Sequence, residues 1–188
     1  MTCIVGMVDK KNRKMYMGGD SAGVSGLDIT VRSDVKVFKN GPMLFGYTSS
    51  FRMGQLLRFK LKIPKNTCKD DYEYMCTTFV DAVREVFKDN GYSHVNNNEE
   101  TGGTFLVAYK GKIYSVQNDF QVGMSMEEYD SCGCGKYYAL GSLDSTRFND
   151  FGKVHTIKIP HQVNTALMVA AYRSGGVRAP FIVIDKGY

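Results

Sequence analysis

The first fifty residues alternate between short apolar runs and polar turns, a pattern that predicts β-strands. The runs CIVGMV and KMYMGG are joined by the polar stretch DKKNR, as in a hairpin. LDITVR, VKVF and MLFGYTSS follow and are predicted to be further strands. At SFRMGQLLRF the period changes and indicates a short helix, with Ser50 placed to cap its N-terminus.

The clearest helix of the pattern lies in KDDYEYMCTTFVDAVREVFKDNG, where apolar residues recur at spacings of three and four. The acidic pair Asp70–Asp71 suits the positive end of a helix dipole, and Asn90–Gly91 is a plausible stop. The polar segment YSHVNNNEETGG that follows is predicted to be a loop.

The second half of the chain continues the alternation of strands and helices. TFLVAY and KIYSVQ predict a hairpin, KYYALGS a strand, HQVNTALMVAAYRSGG a helix and RAPFIVID a last strand. Strand clusters separated by helices favour an α+β fold: a four-layer αββα sandwich of two antiparallel sheets with helices outside. No repeat or linker interrupts the pattern, so residues 1–188 are predicted to form a single domain.

Composition narrows the classes of function. No apolar run approaches the roughly 20 residues of a membrane span, and the first ten residues lack the apolar core of a signal peptide. Five cysteines, an odd number, favour a reducing cytoplasm over a disulfide framework. The net charge of +5 comes from scattered Lys and Arg, which indicates solvated surface rather than a nucleic-acid interface.

Neither a metal nor a cofactor is expected. Cys132 and Cys134 in SCGCGK are separated by one residue, whereas zinc sites typically use two to four, so this segment is interpreted as a Gly-rich turn before a strand. His94, His155 and His161 match no metal-ligand motif.

The second position carries the candidate chemistry. If Met1 is removed, Thr2 has a hydroxyl and a free α-amine on one residue, and an amine with a pKa of about 8 can accept the hydroxyl proton. A nearby Lys would favour the ionised hydroxyl. The strand that begins at Cys3 would hold this nucleophile rigidly. Strand alternation directs the Cys3 side chain to the opposite face, where it is expected to pack.

The order of several short motifs resembles one family. Thr2 and an apolar strand are followed by MGGD, Lys36–Val37, the loop GYTSS, Gly141–Ser142, and Ser174–Gly175–Gly176. In this order the chain resembles proteasome β-subunits and the bacterial HslV peptidase, which are N-terminal-nucleophile hydrolases. The resemblance covers most of the chain and implies the αββα fold and a threonine-type peptidase.

The resemblance also implies roles for individual residues. Thr2 would attack the scissile carbonyl, Lys36 would lower the pKa of its hydroxyl, and Asp20 would orient Lys36. Ser142 and Ser174 would hydrogen-bond the amine or a bridging water. An N–H of the Gly46–Ser50 loop, that of Ser49 or a neighbour, would stabilise the oxyanion. The predicted walls of the substrate pocket are Val24, Phe45 and Ser49.

The chain departs from the family pattern at two places. The family commonly has an Asp three residues before Ser-Gly-Gly, where this chain has Ala171, and LDSTRFNDFG lacks the clean period of the helix usually found there. These departures, or a retained Met1 that blocks the amine, would favour an inactive structural or regulatory subunit. A single-stranded nucleic-acid binder is a third interpretation, but no aromatic–basic motif supports it.

Partners are implied by the same resemblance. A homo-oligomer, in the form of a ring, is expected to act on peptides or unfolded proteins, and an ATPase unfoldase is a possible partner. No nucleic-acid or membrane partner is expected. Several apolar residues of the first short helix were candidates for burial against a neighbouring subunit: Phe51, Met53, Leu56, Leu57 and Phe59.

Overall fold

The computed structural model describes residues 1–147 and 157–188, and these form two antiparallel sheets between two layers of helices. The predicted αββα architecture is therefore confirmed. The strands are β1 (Cys3–Asp9), β2 (Lys14–Gly19), β3 (Ala22–Ser25), β4 (Asp28–Val31), β5 (Val37–Asn40), β6 (Met43–Tyr47), β7 (His94–Asn96), β8 (Glu99–Thr101), β9 (Phe105–Tyr109), β10 (Lys112–Val116), β11 (Val122–Met124), β12 (Tyr129–Gly133) and β13 (Ile182–Gly187). The helices are α1 (Phe51–Phe59), α2 (Asp71–Tyr74), α3 (Val80–Asp89), α4 (Lys136–Arg147) and α5 (Ile159–Arg173).

The two sheets have different strand orders. The first sheet runs β12-β1-β2-β13 and the second runs β11-β10-β9-β6-β5. The β3–β4 and β7–β8 pairs are separate two-stranded hairpins. Every pairing between described strands is antiparallel. Antiparallel pairing allows strands that are consecutive in the chain, such as β1 and β2, to be joined by short turns.

Three apolar layers hold the sandwich together. One lies between the sheets and includes Ile4, Met17 and Leu106. A second lies between the second sheet and the layer of α1, α2 and α3, and a third between the first sheet and α4 and α5. Each sheet is thus covered by apolar side chains on both faces, which explains why β1, β6 and β9 are apolar at nearly every position.

The predicted long helix is confirmed, although it is not uniform. Asp70 caps its start by accepting a hydrogen bond from the Glu73 N–H, and Asn90 follows its end. A π-helical turn, Met75–Phe79, joins α2 to α3. Ser50 caps α1 as predicted, by accepting from the Arg52 N–H. In the described ranges, no helix has both the length and the apolar character needed to cross a bilayer.

The prediction of a strand at KYYALGS is wrong, because this segment forms most of α4. Its buried residues Ala139 and Leu143 are four apart and pack on the first sheet, which is the spacing of a helix face. The helix continues through LDSTR to Arg147; the rest of LDSTRFNDFG, like His155, lies outside the described residues.

Two smaller differences concern segments without a strong apolar pattern. YSHVNNNEETGG, predicted to be a loop, contains the short exposed hairpin β7–β8. In α1, Met53, Leu56 and Leu57 are fully buried in the subunit's own core, so they are unavailable to a neighbouring subunit. Phe59 remains 71% exposed.

Candidate active site

The ends of two central strands of the first sheet, β1 and β2, bring Thr2 and Asp20 together. Thr2 directly precedes β1 and Asp20 directly follows β2, and these strands pair with Ile4 opposite Gly19. The Asp20 N–H continues the ladder by donating to the Cys3 carbonyl at 3.3 Å. Lys36 reaches the same strand ends from the second sheet, since it directly precedes β5.

Lys36 joins the other two side chains in one buried cluster. Its Nζ lies 3.0 Å from Thr2 Oγ1 and 2.9 Å from Asp20 Oδ1. All three residues are almost inaccessible, with exposures of 4% for Thr2 and 2% for both Asp20 and Lys36. A cationic group therefore bridges a hydroxyl and a carboxylate at the start of a buried strand.

The Asp20 carboxylate is fixed by backbone donors as well as by Lys36. Its Oδ1 also accepts from the Cys3 N–H at 3.0 Å, while Oδ2 accepts from Ala22 N–H at 2.9 Å and Arg178 N–H at 3.2 Å. A buried charge is tolerated only when it is paired and hydrogen-bonded. These donors hold the carboxylate in one position, so Lys36 is held in one position too.

Burial shifts the ionisation of Lys36. Removal from water lowers the pKa of Lys36 below its usual range, and the nearby Asp20 carboxylate opposes that shift. The ammonium can therefore lose its proton more readily than an exposed lysine.

The backbone nitrogen of Thr2 meets a side chain that the sequence did not single out for chemistry. Thr2 N lies 3.3 Å from the Cys134 Sγ, and this sulfur lies 3.4 Å from Thr2 O and 3.3 Å from Ser174 Oγ. Ser174, at the end of α5, is thus connected to Thr2 through Cys134 rather than directly. Its Oγ also accepts from the Gly176 N–H at 3.4 Å.

The sequence signal for Cys134 is the glycine that precedes it. Gly133 pairs with Cys3 across the sheet and has a φ of +96°, a conformation that favours glycine. A Cβ at this position would come within 2.2 Å of the Thr2 carbonyl oxygen. The predicted turn in SCGCGK is present at Cys134 and Gly135, but it leads into the helix α4 and not into a strand.

Ser142 does not take the predicted position beside the Thr2 nitrogen. It lies inside α4, six residues after the first helical residue, which corresponds to about 9 Å along the axis. In residues 1–147 and 157–188, no hydrogen bond joins Ser142 to Thr2; its carbonyl accepts from Ser145 Oγ. The misplacement follows from the helix at KYYALGS, which carries Gly141–Ser142 away from the sheet edge.

A small pocket of about 60 Å³ opens beside Thr2. It is lined by Val24 and Ser49, together with Met1, Thr2, Lys36, Tyr47, Thr48, Ser50 and Phe51. Ser49 has a φ of +62°, and in the described part of the chain its N–H has no hydrogen-bond acceptor. The loop after β6 therefore presents an unused backbone donor near the pocket.

Phe45 and Gly46 do not line this pocket, which corrects their assignment. Phe45 is fully buried under α1 and α3 and stacks on Phe38 at 5.3 Å. Gly46 faces the other sheet, where a Cβ would come within 2.3 Å of Ile4 Cγ2. Both lie in β6, whose residues are buried on both faces, so only residues beyond the strand end can reach the pocket.

Met1 lies over the cluster and adds a contact of its own. The Thr2 hydroxyl donates a hydrogen bond to the Met1 carbonyl, and the Met1 side chain lies against Gly176. Ala171, where an Asp was expected from the resemblance, packs against the apolar layer between the first sheet and the outer helices. With Met1 attached, the Thr2 nitrogen is an amide and is not a base.

Cys3 packs as predicted. It is fully buried in the layer between β1 and the outer helices, and burial raises the pKa of its thiol to about 12. A thiol held protonated in this way is a poor nucleophile.

The solved structures to which the chain is similar have one fold. A bacterial proteasome-like protein titled "Thiobacillus denitrificans BPH in complex with Epoxomicin" superposes with a TM-score of 0.77 at 15% identity, over 98% of both chains. The eukaryotic HslV from Trypanosoma brucei gives 0.69 at 13% identity over both complete chains. The Anbu (Gly-1) mutant from Hyphomicrobium sp. strain MC1 gives 0.67 at 11%, over this whole chain and 82% of that one.

No protein-family model matches the chain, and no curated protein matches it. At these identities the superpositions establish the fold and not the activity. The chain therefore has the fold of the proteasome and HslV type of N-terminal-nucleophile hydrolase, as the resemblance implied.

Proposed function

We propose that this chain is a threonine-type peptidase in which Thr2, freed by removal of Met1, is the nucleophile. The observation that carries the proposal is the buried bridge from Thr2 Oγ1 through Lys36 Nζ to the Asp20 carboxylate. A hydroxyl next to an ammonium is easier to ionise, because the positive charge stabilises the alkoxide. Burying a charge pair costs desolvation free energy, and a chemical role would explain why this pair lies in the core.

The same cluster offers groups that could accept the proton of the Thr2 hydroxyl and stabilise the negative charge that forms during the reaction. The free α-amine of Thr2 would accept the hydroxyl proton and later give it to the leaving amine. Cys134 would hold that amine in place with Ser174 behind it. The unused N–H of Ser49 would donate to the oxyanion of the tetrahedral intermediate.

An inactive structural subunit with the same fold is the second candidate. One observation favours it: Ala171 supplies no carboxylate near Ser174. A Met1 retained in the cell would favour it too, because the Thr2 nitrogen would then stay an amide. The two candidates differ in a single chemical property, which is whether a free amine forms at Thr2 and supports hydrolysis.

The deciding experiment uses one preparation with a removable N-terminal extension that ends directly before Thr2. Intact-mass spectrometry records the N-terminus, and hydrolysis of an unfolded protein is measured before and after the extension is released. We expect activity only after release. A chain shown by mass to begin at Thr2 that hydrolyses neither unfolded protein nor peptides would support the inactive subunit.

Cys134 offers a more specific test of the arrangement around the amine. Replacing Cys134 with Ala should lower kcat about fivefold with little change in KM, since a positioning hydrogen bond contributes about 1 kcal/mol. Cys134→Ser should retain activity, because a hydroxyl makes stronger hydrogen bonds than a thiol.

Cys68→Ser is the matched control, because Cys68 packs in the apolar layer between the second sheet and its helices. A Cys134→Ala enzyme with the kcat and pH profile of the unmodified chain would remove Cys134 from the site. A pH profile whose acidic limb moves in Cys134→Ala and returns in Cys134→Ser would distinguish positioning of the amine from a structural effect.

The proposal includes self-association, most simply into a ring. It places the protein in a cytoplasm, where its five free thiols stay reduced. An ATPase unfoldase is a possible supplier of unfolded substrate. Among the described residues of the outer helices, five large aromatic side chains are exposed: Phe59, Tyr72, Tyr137, Tyr138 and Tyr172. Sedimentation at micromolar concentrations should show species larger than the 21.0 kDa chain. A monomer throughout that range would contradict this part of the proposal.

A further inference from the structure

The pocket beside Thr2 is unusually small for a site that must accept a substrate side chain. With Met1 in place its volume is about 60 Å³, whereas a cavity that holds benzene has about 150 Å³. Since Thr2 and Lys36 both line the pocket, it is the candidate site for the side chain of the residue whose carbonyl is attacked. Its size therefore bears directly on which peptide bonds can be cut.

Two aromatic rings close the far wall of the pocket. Tyr47 and Phe51 both line it and pack edge to face, with centroids 5.9 Å apart. The Tyr47 ring is pressed against Gly54 of α1, where even a Cβ would come within 2.2 Å of the ring. Tyr47 therefore has no room to withdraw from the pocket toward α1.

Phe51 is fixed from its other face. The Arg32 guanidinium lies 3.8 Å from the Phe51 ring centroid and makes two hydrogen bonds of 2.7 Å to the Asp34 carboxylate. A guanidinium stacked on a ring and paired with a carboxylate has little freedom to move. Tyr47 is thus held by close packing on α1, and Phe51 is held by its contacts with Tyr47 and with the exposed Arg32.

Removal of Met1 does not displace this wall. The Met1 side chain lies along Gly176 and close to Cys134, which belong to the end of β12 and the turn after α5. Tyr47 and Phe51 lie in and after β6, and neither ring depends on Met1 for its packing. Since Met1 itself lines the pocket, its loss enlarges the pocket on the side near Gly176, and the aromatic wall stays in place to limit the size of the side chain that enters.

We propose that the pocket beside Thr2 admits only a small side chain, of alanine or serine size, on the substrate residue whose carbonyl is attacked. This inference rests on the proposed peptidase function and adds the class of substrate. Leu, Phe and Arg side chains would meet the rings of Tyr47 and Phe51 before the carbonyl reached Thr2 Oγ1. Close-packed walls of this kind yield only at an energetic cost.

The test is hydrolysis of a peptide series that differs only at the residue before the cleaved bond: Gly, Ala, Ser, Val, Leu and Phe. With the chain that begins at Thr2, we expect kcat/KM for Ala and Ser to exceed that for Leu and Phe at least about 30-fold, as a steric mismatch of a few methylenes implies. Phe51→Ala should reverse the order by enlarging the pocket. Val24→Leu, which enlarges another lining residue, should slow the Ala peptide further without leaving a cavity.

Met126→Ala is the matched control, because it truncates a large apolar side chain at a fully exposed position outside the pocket. It should leave the order of substrates unchanged. Hydrolysis with Leu or Phe preferred by the unmodified chain, or an order that Phe51→Ala and Val24→Leu both leave unchanged, would overturn the inference alone. Hydrolysis of no peptide by any of these chains would overturn the proposed function, and the inference with it.

Discussion

A chain that begins at Thr2 is expected to lose at least about 1,000-fold in kcat when Thr2 is replaced by Ala, because the substitution removes the attacking oxygen. The remaining cluster could bind and polarise a peptide but could not form the covalent intermediate. The Lys36–Asp20 pair stays intact, so the free energy of unfolding should change little. The measurement is kcat on one peptide, with intact mass confirming that position 2 is the N-terminus in both chains.

Thr2→Ser is the control for this result, since it keeps the hydroxyl and the amine and removes only a methyl group. It should retain activity within about tenfold of the Thr2 chain. If Thr2→Ala hydrolysed the peptide as fast as the unmodified chain, the nucleophile would have to lie elsewhere. The buried Cys3 is the neighbouring alternative, and Cys3→Ser would then be measured.

Replacing Lys36 with Met is expected to lower kcat at least about 100-fold, because the alkoxide of Thr2 loses its only charged partner in the described cluster. Met has a similar length and carries no charge. The substitution also leaves Asp20 buried without its cation, at a cost of about 3 kcal/mol in the free energy of unfolding. Activity must therefore be measured at a temperature where the variant is shown to be folded.

Leu56→Ala is a suitable control for the loss of stability. Leu56 is fully buried in α1, in the layer on the far side of the second sheet, and its truncation should cost about 2–5 kcal/mol. We expect this variant to keep its kcat while folded. A Lys36→Met chain as active as Leu56→Ala would refute a catalytic role for Lys36, whatever its effect on stability.

The pH dependence follows from the same lysine. At low pH the α-amine of Thr2, with a pKa of about 8, is protonated and cannot act as base. At high pH Lys36 loses its proton, and because burial lowers its pKa from 10.5, activity should begin to fall below the pH at which an ordinary lysine titrates. The alkaline limb should be absent from the residual activity of Lys36→Met.

Stability should respond to the same titration. Between the lowered pKa of folded Lys36 and its unfolded value of 10.5, the folded state binds fewer protons than the unfolded chain. The contribution of Lys36 to the free energy of unfolding therefore rises with pH through this window. Denaturant titrations at several pH values would show a contribution that is absent from Lys36→Met.

Periodicity in the sequence determined most of the sandwich. Strands β1, β2, β6, β9 and β10 and helices α1, α3 and α5 have apolar patterns strong enough to be recognised locally, because each buries one face or both against its own layers. The resemblance implied a common site for Thr2, Asp20 and Lys36, and antiparallel pairing of β1 with β2 makes the start of one strand meet the end of the other.

The tertiary structure decided the features that depend on contacts between distant segments. KYYALGS has residues suited to a strand, yet the burial of Ala139 and Leu143 against the first sheet makes it a helix and carries Ser142 away from Thr2. Phe45 is in the core because β6 lies between two layers, and the pocket is lined instead by residues beyond the strand end.

Cys134 illustrates the same limit most directly. It is 132 residues from Thr2, and its neighbours in the sequence indicate only a flexible turn. Only the register of β12 against β1, which sets Gly133 opposite Cys3, brings its sulfur to the Thr2 nitrogen. The local sequence pattern indicates which face of an element is buried, but the packing of the whole chain determines which segment lies against that face.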